Sequence, residues 1–156
     1  MEDGPKQTID LNGEYHYRVD AKGRLSLPAS FRRVLSTELV VSFYPGSQSH
    51  PEDVYLNVFQ EDDFNRWVDK IIAKRTSGDF DETISDHTRL RRVLKRLAVN
   101  VVVDAAGRIM LPTELRERAG IDHDVVVAGN GDRFEVWDVD KFQASVEEIE
   151  LTSLFL

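Results

Sequence analysis

The chain has 156 residues, of which 41% are hydrophobic and 31% are charged, so it is expected to fold as a soluble globular protein. Its net charge of −8 argues against a nonspecific polyanion binder, and the absence of cysteine excludes disulfides and thiolate metal sites. The apolar runs are shorter than the roughly 18–20 residues of a membrane helix, and the polar N-terminus has no signal-peptide core, so we expect a cytoplasmic protein.

The first predicted elements are two short strands joined by a turn. Residues 15–19 alternate between apolar and polar side chains, which is typical of a strand with one buried face. Residues 20–24, Asp-Ala-Lys-Gly-Arg, predict a tight hairpin, because Asp accepts hydrogen bonds from the amides that follow it and Gly adopts positive φ. Residues 25–27 alternate again and are interpreted as the returning strand.

A short helix and two further strands complete this first unit. Pro28 suits the first turn of a helix, where its missing N–H has no partner, and a helix is predicted over Pro28–Leu35. Strands are predicted over Leu39–Phe43 and Tyr55–Phe59, separated by a loop at Pro45–Asp53 that is rich in Pro, Gly and Ser. The unit is therefore β-β-α-β-β.

Two longer helices follow the first unit. Phe64–Ile72 and Leu90–Ala98 have apolar residues at helical spacing, and the polar segment Thr76–Ser85 is interpreted as their connector. The polar side of the second helix is basic, with Arg89, Arg91, Arg92, Lys95 and Arg96. This side is interpreted as a solvated or subunit-facing surface.

The motif of the first unit then recurs at an offset of 84 residues. Val19–Arg32 and Val103–Arg116 share Val-Asp-Ala-x-Gly-Arg-(Leu/Ile)-x-Leu-Pro-x-x-x-Arg, with eight of 14 positions identical. Leu56–Phe59 matches Phe134–Trp137 at an offset of 78, which indicates about six extra residues in the loop of the first unit. Because units of about 45 residues are small to bury their own cores, the two are expected to pair into one pseudo-twofold body.

The second unit repeats the order of elements of the first. A helix is predicted over Pro112–Ala119, with Gly120 as its C-terminal stop. Strands are predicted over Val125–Ala128 and Phe134–Trp137. Gly129–Gly131 between them reads Gly-Asn-Gly, which predicts a hairpin turn.

Three segments resemble the MraZ family of bacterial transcriptional regulators. Residues 13–28 read Gly-Glu-Tyr-His-Tyr-Arg-Val-Asp-Ala-Lys-Gly-Arg-Leu-Ser-Leu-Pro, and residues 103–112 read Val-Asp-Ala-Ala-Gly-Arg-Ile-Met-Leu-Pro. Residues 91–97, Arg-Arg-Val-Leu-Lys-Arg-Leu, also look like the stretch that precedes the second motif in that family. The resemblance extends from about Leu11 to about Phe142 in the family's order and length.

The resemblance implies a β-rich α+β fold of the SpoVT-AbrB type. In it, tandem β-β-α-β-β repeats interlock about a pseudo-twofold axis into a split barrel with peripheral helices. The expected parts are repeat 1 at 14–61, a helical connector at 62–96, repeat 2 at 97–140 and a C-terminal helix or tail at 141–156. The resemblance also implies a ring-like homo-oligomer that binds double-stranded DNA sequence-specifically, at repeats upstream of the cell-division and cell-wall gene cluster, and hence association with the nucleoid.

Two arginines carry the DNA-binding hypothesis. Arg24 and Arg108 correspond to the family's key arginine in the Asp-x-x-x-Arg motif. Arginine has a planar fork of donors that can grip a phosphate or read guanine O6 and N7 together. The alternative is that Asp20–Arg24 and Asp104–Arg108 are internal ion pairs that hold the turns, and the two roles can coexist.

The other candidates divide between DNA contact and structure. Lys22 and Arg18 are predicted phosphate contacts, which position a protein without reading sequence. Arg32 and Arg33 lie on the short helix and are interpreted as DNA contacts or as solvated surface. The match of Arg32 with Arg116 favours a structural role for that pair. The remaining structural positions of the motif are Gly23, Pro28, Gly107 and Pro112.

The two copies of the motif are not equal in charge. Lys22 and Arg18 of copy one correspond to Ala106 and Val102 of copy two. Residues 16–33 contain five basic residues against one Asp, a net of +4. Copy one is therefore the stronger candidate for the DNA-facing surface.

Enzymatic functions have little support in the sequence. The four histidines are scattered, and neither a Gly-rich phosphate loop nor a Ser-His-Asp arrangement is evident. We expect no catalytic residue, metal, cofactor, small-molecule substrate or membrane partner. The main rival to a DNA-binding regulator is a protein-interaction or antitoxin-like module on the same scaffold without its own DNA readout, and a hydrolase is a distant third.

Overall fold

The computed structural model describes residues 8–76, 84–147 and 149–155. The first half contains β1 (Glu14–Arg18), β2 (Arg24–Ser26), α1 (Ala29–Arg32), β3 (Glu38–Tyr44), β4 (Tyr55–Gln60), α2 (Glu61–Thr76) and α3 (Ile84–Lys95). The second half contains β5 (Ala98–Val102), β6 (Arg108–Met110), α4 (Thr113–Arg118), β7 (Asp124–Gly129), β8 (Arg133–Asp138), α5 (Val139–Glu147) and a 3₁₀ helix (Leu151–Phe155). Each half therefore has the predicted β-β-α-β-β order.

Six strands form one antiparallel sheet in the order β1-β7-β8-β4-β3-β5. The central strands, β8 and β4, occupy equivalent positions in the two units. Each unit's first strand lies at the edge of the sheet, beside the third strand of the other unit. This exchange confirms the predicted interlocked, pseudo-twofold, β-rich fold. The predicted boundaries between units remain predictions, because both units share this one sheet.

The prediction of a hairpin at residues 20–24 was wrong. The turn itself forms, since the Asp20 amide donates to the Arg24 carbonyl at 3.0 Å and the Gly23 amide donates to the Asp20 carbonyl at 2.9 Å. The strands on either side of it nevertheless separate: β1 pairs with β7, whereas β2 pairs with β6 in a second, two-stranded sheet. Pairing β2 with β6 sets Leu25 opposite Ile109, and both side chains are fully buried. The local turn signal could not identify this distant partner.

The main apolar core lies beneath this two-stranded ribbon. Leu25 and Ile109 of the ribbon join Phe31 of α1 and Phe134 of β8 in one buried cluster. The rings of Phe31 and Phe134 are 5.4 Å apart. On the opposite face of the large sheet, α2 and α3 cover one half and α5 covers the other. The four inner strands, β7, β8, β4 and β3, are thus covered on both faces, and each has four consecutive buried residues.

The remaining predictions of elements are largely confirmed. The third and fourth strands of each unit match their predicted bounds to within one residue. The loop between β3 and β4, residues 45–54, is longer than the loop between β7 and β8, residues 130–132, as predicted. The helix predicted to reach Ala98 ends at Lys95 instead. Ala98 pairs with Ser42, and the Leu97 carbonyl accepts the Phe43 amide, so these residues bond to β3 instead of continuing the helix. Most of the predicted connector, residues 77–83, lies outside the described residues.

Candidate nucleic-acid interface

The carboxylate of Asp20 organises the motif turn of copy one. Its Oδ1 accepts the amides of Lys22 and Arg24, both at 2.9 Å, and its Oδ2 accepts Nε of Arg24 at 2.8 Å. Hydrogen bonds to the charged form, first that from the Arg24 amide, hold the pKa of Asp20 below its ordinary value. The predicted Asp20–Arg24 ion pair therefore exists, and it orients the arginine.

Copy two repeats this geometry. Oδ1 of Asp104 accepts the amides of Ala106 and Arg108, both at 2.9 Å, and its Oδ2 accepts Nε of Arg108 at 3.1 Å. The pKa of Asp104 is lowered in the same way, first by the Arg108 amide. Within the described residues, neither Arg24 nor Arg108 makes a hydrogen bond through its Nη atoms. Each guanidinium thus keeps its outer fork of donors for another partner.

Pairing of β2 with β6 brings the two arginines onto one surface. Arg24 lies opposite Met110, and Ser26 lies opposite Arg108. Because neighbouring side chains of a strand point to opposite faces, these four residues share the face turned away from the buried core. We call this set of Arg24, Ser26, Arg108 and Met110 the ribbon face. Diagonal positions of this kind are about 7–8 Å apart, which allows both arginines to contact a single ligand.

The backbone carbonyls of two glycines bond each turn to the other copy of the motif. The Gly107 carbonyl accepts the Leu27 amide at 3.0 Å, and the Gly23 carbonyl accepts the Leu111 amide at 2.8 Å. Gly23 and Gly107 have φ of +84° and +78°, a backbone conformation that favours glycine. Each turn is therefore bonded to the other copy, which extends the ribbon beyond its strands.

Arg32 and Arg116 lie behind the turns of the opposite copies. A Cβ on Gly23 would lie 2.9 Å from Nη2 of Arg116, its nearest neighbour, whereas a Cβ on Gly107 would overlap Nη1 of Arg32 and lie 2.6 Å from its Cδ. Nε of Arg116 also donates to the Leu111 carbonyl at 3.1 Å. Arg32, predicted as a DNA contact, and Arg116, predicted as structural, thus lie at equivalent places, but Arg32 is exposed whereas Arg116 is half-buried.

The other predicted contacts lie at different places. Lys22 is exposed in the turn of copy one. On β1, Tyr17 packs on the main core, so Arg18 points to the other face of the large sheet, where Nε lies 3.5 Å from Oδ1 of Asp124. Arg18 therefore does not join the ribbon face. The basic helix α3 also packs on that other face of the sheet, away from the ribbon.

Two members of the ribbon face, Ser26 and Met110, were not predicted from the sequence. Alternation with the buried Leu25 and Ile109 would have placed them outward, but their juxtaposition with the arginines depends on the unpredicted β2–β6 pairing. Across the described residues, no three His, Asp or Glu side chains form a group that could hold a metal ion. Among the described helices, none is long and apolar enough to cross a membrane.

Together, the fold and this face define a class of protein: a tandem repeat whose two interlocked units present one Asp-x-x-x-Arg turn each on a shared ribbon. The family model described as "MraZ protein, putative antitoxin-like" matches residues 11–86 and 95–155. The chain belongs to the MraZ family.

Individual relatives are similar along most of their length, and each bears the name "Transcriptional regulator MraZ". The relative from Frankia alni is 34% identical over 138 residues, which cover 88% of this chain and 87% of the relative. The relative from Treponema denticola is 31% identical over 144 residues, 90% of each chain. The relative from Ruegeria sp. is 31% identical over 152 residues, 90% of this chain and 82% of the relative.

Proposed function

We propose that this chain is a transcriptional regulator that binds double-stranded DNA sequence-specifically through the ribbon face. The observation that carries this proposal is the β2–β6 pairing, which unites Arg24 and Arg108 on one exposed ribbon. A two-stranded ribbon fits the major groove, and the donor fork of arginine matches guanine O6 and N7. The relatives are named transcriptional regulators, which supports the same function.

The two aspartates orient the arginine side chains before DNA binds. Asp20 and Asp104 each engage Nε and leave the Nη groups as the reading fork. A side chain that is already oriented loses less conformational entropy when it binds, so more of the contact energy contributes to affinity. Lys22, exposed in the same turn, would add a phosphate contact that strengthens binding without reading sequence.

Assembly into a ring-like homo-oligomer is part of the proposal. A single protomer with net charge −8 offers few phosphate contacts. Several protomers bound to neighbouring DNA repeats would raise the overall affinity by roughly 10²–10⁴ through avidity. The proposed sites are repeats upstream of the cell-division and cell-wall gene cluster, and the protein would then be found with the nucleoid. Because Arg18 and Arg32 lie off the ribbon face, the proposal assigns base reading by arginine to Arg24 and Arg108.

A gel-shift titration on the DNA upstream of the chain's own gene tests the role of the ribbon face. Arg24→Ala/Arg108→Ala should weaken specific binding at least about 30-fold, because each bidentate arginine–guanine pair is worth about 1–3 kcal/mol. The matched control, Arg89→Ala/Arg92→Ala, removes the same charge from α3 and should bind almost normally. Unchanged binding by a folded Arg24→Ala/Arg108→Ala protein would exclude the assigned role.

The description of the family model as antitoxin-like favours a second candidate, a protein-interaction module without its own DNA readout. Salt dependence separates the two. Phosphate binding releases counterions, so log K falls with log salt by about 0.9 for each phosphate neutralised. A DNA affinity that is weak and independent of salt would favour the interaction module.

A further inference from the structure

The ribbon face is symmetric in its arginines and asymmetric in its other two residues. Arg24 and Arg108 occupy equivalent positions of the two motif copies, but the equivalent of Ser26 is Met110. The β2–β6 register sets Arg24 beside Met110 and Arg108 beside Ser26. The two arginines therefore have different neighbours on an otherwise repeated surface.

Met110 is a large apolar side chain in an exposed position. It is 48% exposed, although its neighbour Ile109 is almost completely buried. Residues directly opposite on antiparallel strands have Cβ atoms about 4.5–5.5 Å apart, so the thioether lies within reach of whatever Arg24 contacts. Ser26, in the equivalent position beside Arg108, is also exposed but has only a short hydroxyl side chain.

These two neighbours suit different features of a base pair. In the major groove, thymine presents an apolar C5-methyl group, and apolar side chains contact it. A serine hydroxyl both donates and accepts hydrogen bonds, so it can bond to the edges of several different bases. Met110 beside Arg24 thus favours thymine adjacent to the guanine that Arg24 reads, whereas Ser26 gives no such preference beside Arg108.

We propose that Met110 is a specificity-determining residue that gives the DNA site a direction, by contacting the methyl group of a thymine next to the guanine read by Arg24. This inference rests on the proposed function. A fully symmetric ribbon would bind its site equally well in two orientations. The Met110–Ser26 difference breaks this equivalence, so each protomer binds in one preferred orientation.

Deoxyuridine substitution tests the contact, because it removes only the methyl group of thymine. The full-length chain is first used to select binding sequences from a library of random duplexes. Each thymine of the selected sequence is then replaced by deoxyuridine, one at a time. We expect about a fourfold loss of affinity at one position for the unaltered chain, from the roughly 0.8 kcal/mol of one buried methyl-sized group, and no loss there for Met110→Ser.

An exchange of the two residues provides the matched control. Ser26→Met/Met110→Ser keeps the composition of the chain and should transfer the methyl sensitivity to the symmetry-related base position beside Arg108. Both positions are exposed, so thermal unfolding should be little changed and serves as the check on folding.

The outcomes distinguish this inference from the proposed function. Tight, selective binding without methyl sensitivity at any thymine, or with the same sensitivity in Met110→Ser, would overturn the role of Met110 and leave DNA binding intact. Failure of the unaltered chain to enrich any sequence would overturn the proposed function, and this inference with it.

Discussion

The two copies of the motif build the same turn from partly different residues. The Asp–Arg contact is 2.8 Å in copy one and 3.1 Å in copy two, and the turn glycines have similar positive φ. At the exposed positions, however, Lys22 of copy one corresponds to Ala106, and Ser26 corresponds to Met110. Asp, Gly and Arg determine the shape of the turn, whereas the variable positions are free to set its charge and selectivity.

The copies also differ in how closely the opposite helix packs against each turn. A Cβ on Gly23 would come within 3 Å of one atom of Arg116, Nη2, whereas a Cβ on Gly107 would come within 3 Å of three atoms of Arg32, namely Nη1, Cδ and Cζ. Similar backbones can therefore tolerate substitution unequally. The predictions that follow test where the two copies are equivalent and where they are not.

The largest effect is expected from single substitutions of the motif arginines. Arg24→Ala and Arg108→Ala should each weaken specific DNA binding by about 5- to 150-fold, because each removes one bidentate base contact. Since both arginines lie on the same ribbon, the two losses should agree to within about threefold, a factor worth less than 1 kcal/mol. A gel-shift titration of each variant measures this, and a loss confined to one arginine would show that only one copy contacts DNA.

Alanine substitution of the turn glycines should destabilise the fold unequally. Both positions have positive φ, which costs about 1–2 kcal/mol for a residue with a Cβ. Gly107→Ala should cost more than Gly23→Ala, because its Cβ would come closer to Arg32, and to more of its atoms, than the Cβ of Gly23→Ala would come to Arg116. Urea unfolding measures the difference. Gly131→Ala is the control for backbone strain alone, since it has φ of +75° and no atom near the added Cβ. Equal losses at Gly23 and Gly107 would contradict the packing difference.

The turn aspartates should make stability depend on pH in the acidic range. The pKa values of Asp20 and Asp104 are lowered from 3.8 by the bonds that each carboxylate accepts. A lowered folded-state pKa stabilises the folded chain above the unfolded value, and this contribution is lost as pH falls through the folded value. Asp20→Asn/Asp104→Asn should therefore lower Tm at neutral pH, and the gap should narrow in acid. A constant gap at all pH values would contradict this account.

The smallest expected effect concerns the charge difference between the copies. Lys22→Ala should make the slope of log K against log salt shallower by about 1, the effect of one lost phosphate contact. Ala106→Lys should steepen the slope by a similar amount, because the backbone of the two turns matches. If Ala106→Lys has no effect while Lys22→Ala does, only the tip of copy one reaches DNA.

Much of the fold could be predicted from the sequence, because local patterns determine most elements. The apolar run at Val125–Ala128 and the match of Phe134–Trp137 to Leu56–Phe59 predicted inner strands, and the repeated motif predicted the pseudo-twofold plan. Strand partners could not be predicted, since the Asp20 turn has the same local chemistry whether its flanking strands pair or separate. The arginines of the site were found from the motif, but Ser26 and Met110 became candidates only through the β2–β6 register.

Thiol protection at engineered cysteines tests the central claim, that the ribbon face is the DNA-binding surface, most directly. The chain has no cysteine, so a single Ser26→Cys thiol can be followed alone. Val93→Cys on α3, where Val93 is 61% exposed, is the matched control on the other side of the large sheet. We predict that DNA slows maleimide modification of Ser26→Cys and leaves Val93→Cys unchanged. Protection of Val93→Cys with no protection of Ser26→Cys would contradict the account.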